Sequence, residues 1–538
     1  MKVKRKHLEL GAFIAVYLFA LYLWTLPFQD NEMPYGEFDA ISHWGLADFI
    51  SQTDNTFVYL PKFIDDRYGG DNSFKPHTLW YPPPFHTDFA AISSFAQGRF
   101  VPIYLTNAVF ATAILISVFF VIRSLFGFLS AILSSFLLAF SMRDIMPYLW
   151  GQWPERFGYA FIPLILYCFY QYYTTYSKES SKPVYLYLMF LLLGINLFIH
   201  PLTFFHSLAG LLVLAVFLWL KERKFPFDAR NILISIALFI LLLSVFPYQS
   251  GNVIASFTQD SSSQDKGHSA LSRLIQWAPN AEDFRGSVPD SYFSFREMNG
   301  LWTLPFLLFG ILFLVIRREN RDIFLLAWLF SLYLILHRDL IGKISLLHRS
   351  LSATAHIFVP ITVIGALSIP SLIPAKNGIR KYLIYAFSIL IVVLAFTYSF
   401  PAAYSTLKGA YDHPFLRVNQ EEIQATEWIE SSIPEDGVIS LIGPPDEKKF
   451  RWLSYLSHRP FSNIVEYLTL DQYKENSQEL FNKELHENYV MLDYTDIGRL
   501  QDQSNAQRWL AFESTELTNF TLLYNQNNIR VYKYGATN

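Results

Sequence analysis

Thiols are almost absent. Among 538 residues only Cys168 carries one, which excludes an internal disulfide and any multi-cysteine metal site. It lies in an apolar run, where a buried, inert thiol is the ordinary outcome. Charge is scarce too. Asp, Glu, Lys and Arg make up 16% of the chain, against about 25% in soluble domains. The net charge of −3 lacks the basic surplus that nucleic acid demands, so no nucleic-acid partner is expected. No unit of about 20 to 50 residues repeats, which argues against solenoids and propellers.

Apolar residues are abundant. The chain is 52% hydrophobic and 17% aromatic, with a mean hydropathy of +0.24. A membrane span needs about 20 apolar residues. On that measure about eleven spans follow one another, near 10–27, 102–123, 125–141, 157–175, 184–200, 202–220, 231–247, 301–316, 323–336, 351–373 and 382–400. The first is too long for a signal segment and no small-residue cleavage site follows it, so it reads as a retained helix.

Basic clusters occupy every second gap. Lys2, Lys4, Arg5 and Lys6 precede the first run. Arg123, then Lys178 and Lys182, then Lys221, Arg223, Lys224 and Arg230, then Arg317, Arg318 and Arg321, then Lys376, Arg380 and Lys381 follow in alternate gaps. Cytoplasmic loops collect Lys and Arg. The N-terminus is therefore expected in the cytoplasm of a multi-pass cell (plasma) membrane protein, and the C-terminus outside. The outer regions are then 29–101, 142–156, 248–300, 337–349 and everything after Pro401. The division expected is a membrane domain over 1–400 and an extracytoplasmic α/β domain over 401–538. There Asn419–Ile433 reads as an amphipathic helix, Gly437–Gly443 and Tyr489–Asp493 as buried strands, and Asn525–Asn528 as a hairpin turn.

The outer regions hold the residues with chemistry to offer. Glu37 and Asp39 are spaced to point the same way along an extended segment. Ala40–Ser51 reads as helix, so Asp39 near its start would cap it and stay ionised beside the dipole. His43, four residues on, shares its face. An ionised acid there would take a proton from a hydroxyl or hold a divalent cation such as Mg or Mn. The bland alternative is an N-cap on a solvated loop. Tyr81, Pro82, Pro83 and Pro84 form a stiff aromatic-flanked stretch suited to a sugar ring or to the headgroup layer. Glu155 and Arg156 lie beside Trp150 and Trp153, as an outer-mouth site or as a surface ion pair in an aromatic belt. His200 and His206 would serve metal or phosphate, or structure alone. Arg338, Lys343, His348 and Arg349 bring cations to the outer interface against the charge rule, and Arg binds phosphate bidentately. The apolar runs themselves hold no Asp, Glu, Lys or Arg in their interiors. Ion-coupled transporters usually keep such groups at mid-membrane.

In layout the chain resembles the GT-C superfamily of membrane glycosyltransferases. Glu37-Phe38-Asp39 looks like the first-loop acidic motif of that superfamily, and Tyr81-Pro82-Pro83 like its later proline pair. Gly151-Gln152-Trp153-Pro154-Glu155 is similar to a segment of the branch labelled 6-pyruvoyl-tetrahydropterin synthase-related membrane proteins. Trp428 and Arg451–Pro460 look like the start of the outer domain. The Trp-Trp-Asp-Tyr-Gly sequence of oligosaccharyltransferases is missing, and the pterin label has no metal-ligand cluster behind it. The resemblance implies inverting transfer of a hexosyl or pentosyl group. The donor would be a polyprenyl-phosphate-linked sugar and the acceptor a glycan, lipid or protein, outside the cytoplasm. Asp39 and Glu37 would be catalytic. His43, Tyr81, Pro82, Glu155, Arg156, His348 and Arg349 would bind substrate, and Asp39 and Glu155 would hold any divalent cation. The alternatives are a non-catalytic glycolipid-binding or assembly protein, or a transporter of lipid-linked sugar.

Overall fold

The computed structural model describes residues 2–29, 33–36, 38–53, 84–93, 95, 98–177, 182–224, 226, 228–245, 299–337, 347–373, 377–411, 418–442, 447–462, 487–495 and 503–535. The chain divides into two compact units. One joins Met1–Asp30 to Leu79–Gly409, and the other joins Asn31–Thr78 to Ala410–Asn538.

In chain order the helices begin with α1 (Lys2–Trp24), α2 (Phe38–Thr53), α3 (Pro84–Ser93), α4 (Val101–Phe126) and α5 (Phe128–Leu138). Then come α6 (Met142–Trp150), α7 (Trp153–Tyr159), α8 (Phe161–Ser177), α9 (Val184–Ile199), α10 (Pro201–Glu222) and α11 (Ala229–Leu243). After these follow α12 (Thr303–Arg317), α13 (Asn320–Leu336), α14 (Leu347–Ser352), α15 (Thr354–Leu372), α16 (Asn377–Leu394) and α17 (Phe400–Lys408). The second unit adds α18 (Gln420–Ser432), α19 (Glu447–Ser457) and α20 (Gln503–Glu516).

Every expected apolar run of the first unit lies on a helix. Among the described residues five helical stretches are long and apolar enough to cross a membrane: Arg5–Trp24, Val101–Phe126, Pro201–Glu222, Arg349–Leu372 and Gly378–Lys408. A sixth is broken, α5 and α6 meeting at a 44° bend. The other expected runs fall on helices of 15 to 17 residues, shorter than the about 20 a perpendicular span requires. The protein is thus a multi-pass membrane protein by its apolar helices, without the number eleven being fixed.

Close helix contact in apolar surroundings favours small residues. A Cβ at Gly310 of α12 would fall 2.3 Å from the Ile361 carbonyl of α15, and one at Gly365 would fall 2.1 Å from the Phe306 carbonyl. The two glycines therefore let α12 and α15 touch backbone to backbone. On α1, Glu9 accepts from Arg123 of α4 at 2.6 Å.

The second unit is built on one sheet, with β1 (Ile439–Ile442), β2 (Phe461–Ser462), β3 (Tyr489–Asp493), β4 (Phe520–Gln526) and β5 (Ile529–Tyr534) in the order β2-β1-β3-β5-β4. β1 runs parallel to β2 and β3, whereas β5 is antiparallel to β3 and β4. Asn527 and Asn528 turn β4 into β5 with φ of 51° and 62°, the left-handed pair that a two-residue hairpin needs and Asn tolerates. Asn419 opens α18 with a capping box, accepting from the Glu422 amide while Glu422 accepts from the Asn419 amide.

Candidate functional site

Two short helices follow the bend in the first unit. Pro147 lies within α6, and Gly151 ends it at φ 94°, a left-handed position where glycine carries no strain. The chain then re-enters helix at once as α7. This compact turn brings Asp144, Glu155 and Arg156 inward, and α14 with the start of α15 supplies Arg349, Ser352 and His356.

Arg156 is the hub. Its Nη1 donates to Asp144 Oδ1 at 2.5 Å and its Nη2 to Glu155 Oε1 at 3.4 Å. Nη2 also donates to the Ser352 hydroxyl. Its guanidinium lies 4.7 Å from the centre of the Tyr159 ring. His356 Nε2 meets the same Asp144 Oδ1 at 2.7 Å. Arg349 Nη1 approaches Glu155 Oε2 at 3.8 Å. Around them Arg143 donates to the Leu351 carbonyl and the Thr354 hydroxyl, and His206 meets Ser350 at 3.0 Å. Tyr159 donates to the Arg349 carbonyl at 3.3 Å. The 349–354 segment is therefore pinned from three sides.

Burial and charge define what this arrangement can do. Asp144, Glu155, Arg156 and His356 have side chains at most 3% exposed, whereas that of Arg349 is 17% exposed. Among the described residues Arg156 and Arg349 reach the carboxylates of Asp144 and Glu155, while Arg143 is turned to the Leu351 carbonyl and the Thr354 hydroxyl. Buried charge is costly unless compensated. Guanidinium groups suit bidentate binding of anions, and that of Arg349 is the partly open one here. Asp144 Oδ2 is buried and accepts no hydrogen bond among the described residues.

Several expectations change here. Glu155 and Arg156 form no surface pair. Both are buried, because α7 lies against α4 and α8 rather than along the outer interface. Glu155 does not fit a divalent cation, since its two oxygens face Arg156 and Arg349. Among the described residues no group of three or more His, Cys, Asp or Glu is placed to hold a metal ion. Asp39 sits in the first turn of α2 rather than capping it, because the helix starts at Phe38. Asp39 is half-buried and His43 buried, both in the second unit. Glu37, Tyr81, Pro82, Arg338 and Lys343 lie outside the described residues, and His348 lies in α14 with its side chain outside them. Asp144, Ser352 and His356 were not singled out by the sequence.

The fold is shared with solved membrane glycosyltransferases. The archaeal oligosaccharyltransferase AglB from Archaeoglobus fulgidus, solved with an inhibitory peptide and a dolichol-phosphate, matches at TM-score 0.61 and 14% identity, over 99% of this chain and 75% of that one. ArnT from Cupriavidus metallidurans, bound to undecaprenyl phosphate, matches at TM-score 0.56 and 10% identity, over 99% and 98%. The arabinofuranosyltransferase AftD from Mycobacteria matches at TM-score 0.54 and 14% identity, over 98% of this chain and 40% of that one. These likenesses establish a GT-C-type fold. No curated protein sequence matches significantly. The model of DUF6541, a family of unknown function, matches residues 3–445, and the chain belongs to that family.

Proposed function

We propose that this protein is a membrane glycosyltransferase that moves a sugar from a polyprenyl-phosphate carrier to an acceptor on the extracytoplasmic face. The observation that carries the reading is the buried cluster of Asp144, Glu155 and Arg156 with the partly open Arg349 beside it. AglB with its dolichol-phosphate and ArnT with its undecaprenyl phosphate share the fold. The alternating basic clusters support a cytoplasmic N-terminus in a plasma membrane and an outer C-terminal domain.

In this reading the prenyl tail lies among apolar helices and its phosphate meets Arg349. Arg156, held by Asp144, Glu155 and Ser352, adds a fixed positive charge behind it. An acceptor hydroxyl gives its proton to a carboxylate base, the role we assign from the sequence to Asp39. The hydroxyl oxygen bonds to the anomeric carbon from the face opposite the phosphate, and the bond from that carbon to the phosphate oxygen breaks. The electron pair stays on the lipid phosphate, where the guanidiniums stabilise it. Inversion follows from the single displacement. Asp144 Oδ2 offers an acceptor to a sugar hydroxyl.

Mass spectrometry of surface glycans tests the reading. A deletion strain should lose a sugar that wild type restores and that neither Asp39→Asn nor Arg349→Ala restores at matched expression. Equal rescue by both variants would favour lipid transport or assembly over catalysis.

A further inference from the structure

Helix α2, which carries Asp39, is fastened inside the second unit along successive turns. Trp44 lies against Trp452 of α19 with ring centroids 5.4 Å apart. The next residue, Gly45, faces Tyr455, where a Cβ would fall 1.8 Å from the tyrosine ring. One turn farther Asp48, which is 2% exposed, meets His458 with Oδ2 and Nε2 3.2 Å apart. The other ring nitrogen, Nδ1, lies 2.8 Å from Glu430 Oε1 of α18.

This double contact favours the protonated form of His458. An ionised carboxylate only accepts hydrogen bonds, and a neutral imidazole has one donor and one lone pair. Carboxylates on both nitrogens therefore favour the imidazolium. The turn that holds it is itself fixed. His458 has φ 51°, and Arg459 donates to the carbonyls of Ile433, His458 and Glu430. Among the described residues the charged groups that meet His458 and its turn include Asp48 from α2, Glu430 from α18 and the adjacent Arg459.

We infer that His458 is a positioning residue for the acid-bearing helix. As an imidazolium it clamps α2 to α18, and loss of its second proton opens the clamp. A lone pair would then face a carboxylate, and buried Asp48 would lose its cation. Asp39 stands nine residues earlier on the same helix, about 14 Å along its axis, so a loosened α2 no longer fixes it. The link to catalysis rests on Asp39 being the base, whereas the clamp does not.

Hydrogen exchange on the full-length protein in detergent tests the clamp. Amides of 41–51 are followed from about pH 5.5 to about pH 9, a range that brackets ordinary imidazole titration, after correction for intrinsic exchange. Wild type should lose about tenfold in protection across the range. His458→Gln should be weakly protected throughout with no pH step, while the β4–β5 amides stay unchanged. Asp48→Asn, which removes a carboxylate without touching the turn, should also flatten the profile. A wild-type profile without a step, or the same step in His458→Gln, overturns the inference. A flat exchange profile with Asp39→Asn still abolishing transfer would sink the clamp and leave the assignment of Asp39 standing. A step in exchange with Asp39→Asn fully active would do the reverse.

Discussion

Each unit of this protein buries a cluster of charged side chains, and the two clusters differ in one respect that matters. In the second unit Lys449, 1% exposed, bridges Glu422 and Asp493, its Nζ 2.5 Å from Asp493 Oδ2. Thr495 donates to both acids, and the Asn419 amide caps Glu422. The chain supplies every visible partner. Burial and the neighbouring Asp493 carboxylate push Glu422 up, while Lys449 pulls against them. Burial also pushes Asp493 up, but Lys449 and the hydrogen bonds around it hold that carboxyl below its usual range. In the first unit one guanidinium of the cluster, that of Arg349, is partly open. Buried charge alone does not make a site. A charged group left partly open offers one.

That contrast breaks most sharply at Lys449. Lys449→Met would leave two buried acids without a cation and should cost the second unit about 3–5 kcal/mol, read as a lower midpoint of thermal unfolding. Replacing all three members by apolar residues of similar volume should recover most of the loss. A triad whose lysine is dispensable would mean that it is wet and not a core element.

In the first unit Arg349→Ala should leave unfolding nearly unchanged and instead cost about 1.5–3 kcal/mol of affinity for polyprenyl phosphate. That is a drop of roughly tenfold to about a hundredfold in a binding titration. Arg349→Lys should recover only part of it, because a lysine cannot make the bidentate contact. A stability loss as large as that of Lys449→Met would make Arg349 structural.

The smallest effect concerns a half-buried pair of the same unit as Lys449. Burial pushes the Glu513 carboxyl up, but hydrogen bonds from Arg530, Tyr532 and Tyr494 outweigh it and hold the group below the usual range. A carboxyl lowered on folding adds stability above its unfolded titration range, and that stability is lost as pH falls through the folded value. Since Arg530 is 34% exposed, solvent screens the pair and the effect should stay below about 1 kcal/mol. Urea unfolding of wild type and Glu513→Gln should therefore differ slightly at neutral pH and converge in acid.

Much of this was legible in the residues. Apolar length marked the membrane helices, the amphipathic pattern from Asn419 marked α18, and the Asn525–Asn528 stretch marked the β4–β5 turn. Glu155, Arg156 and Arg349 stood out as charges beside apolar runs, though their burial did not. Asp144 was hidden in what reads as a short outer segment. Its signal was a charged pair, Arg143-Asp144, within a stretch that is otherwise apolar. His356 looked like one more residue of an apolar span. The docking of Asp48 on His458 joins positions 410 residues apart, and no local periodicity encodes such a contact.

The central claim is tested most directly by native mass spectrometry of the purified protein with polyprenyl phosphate. Wild type should retain one lipid phosphate, Arg349→Ala should lose it, and Lys449→Arg should keep it. Equal retention by wild type and Arg349→Ala would contradict the claim that the partly open cluster of the first unit receives the phosphate.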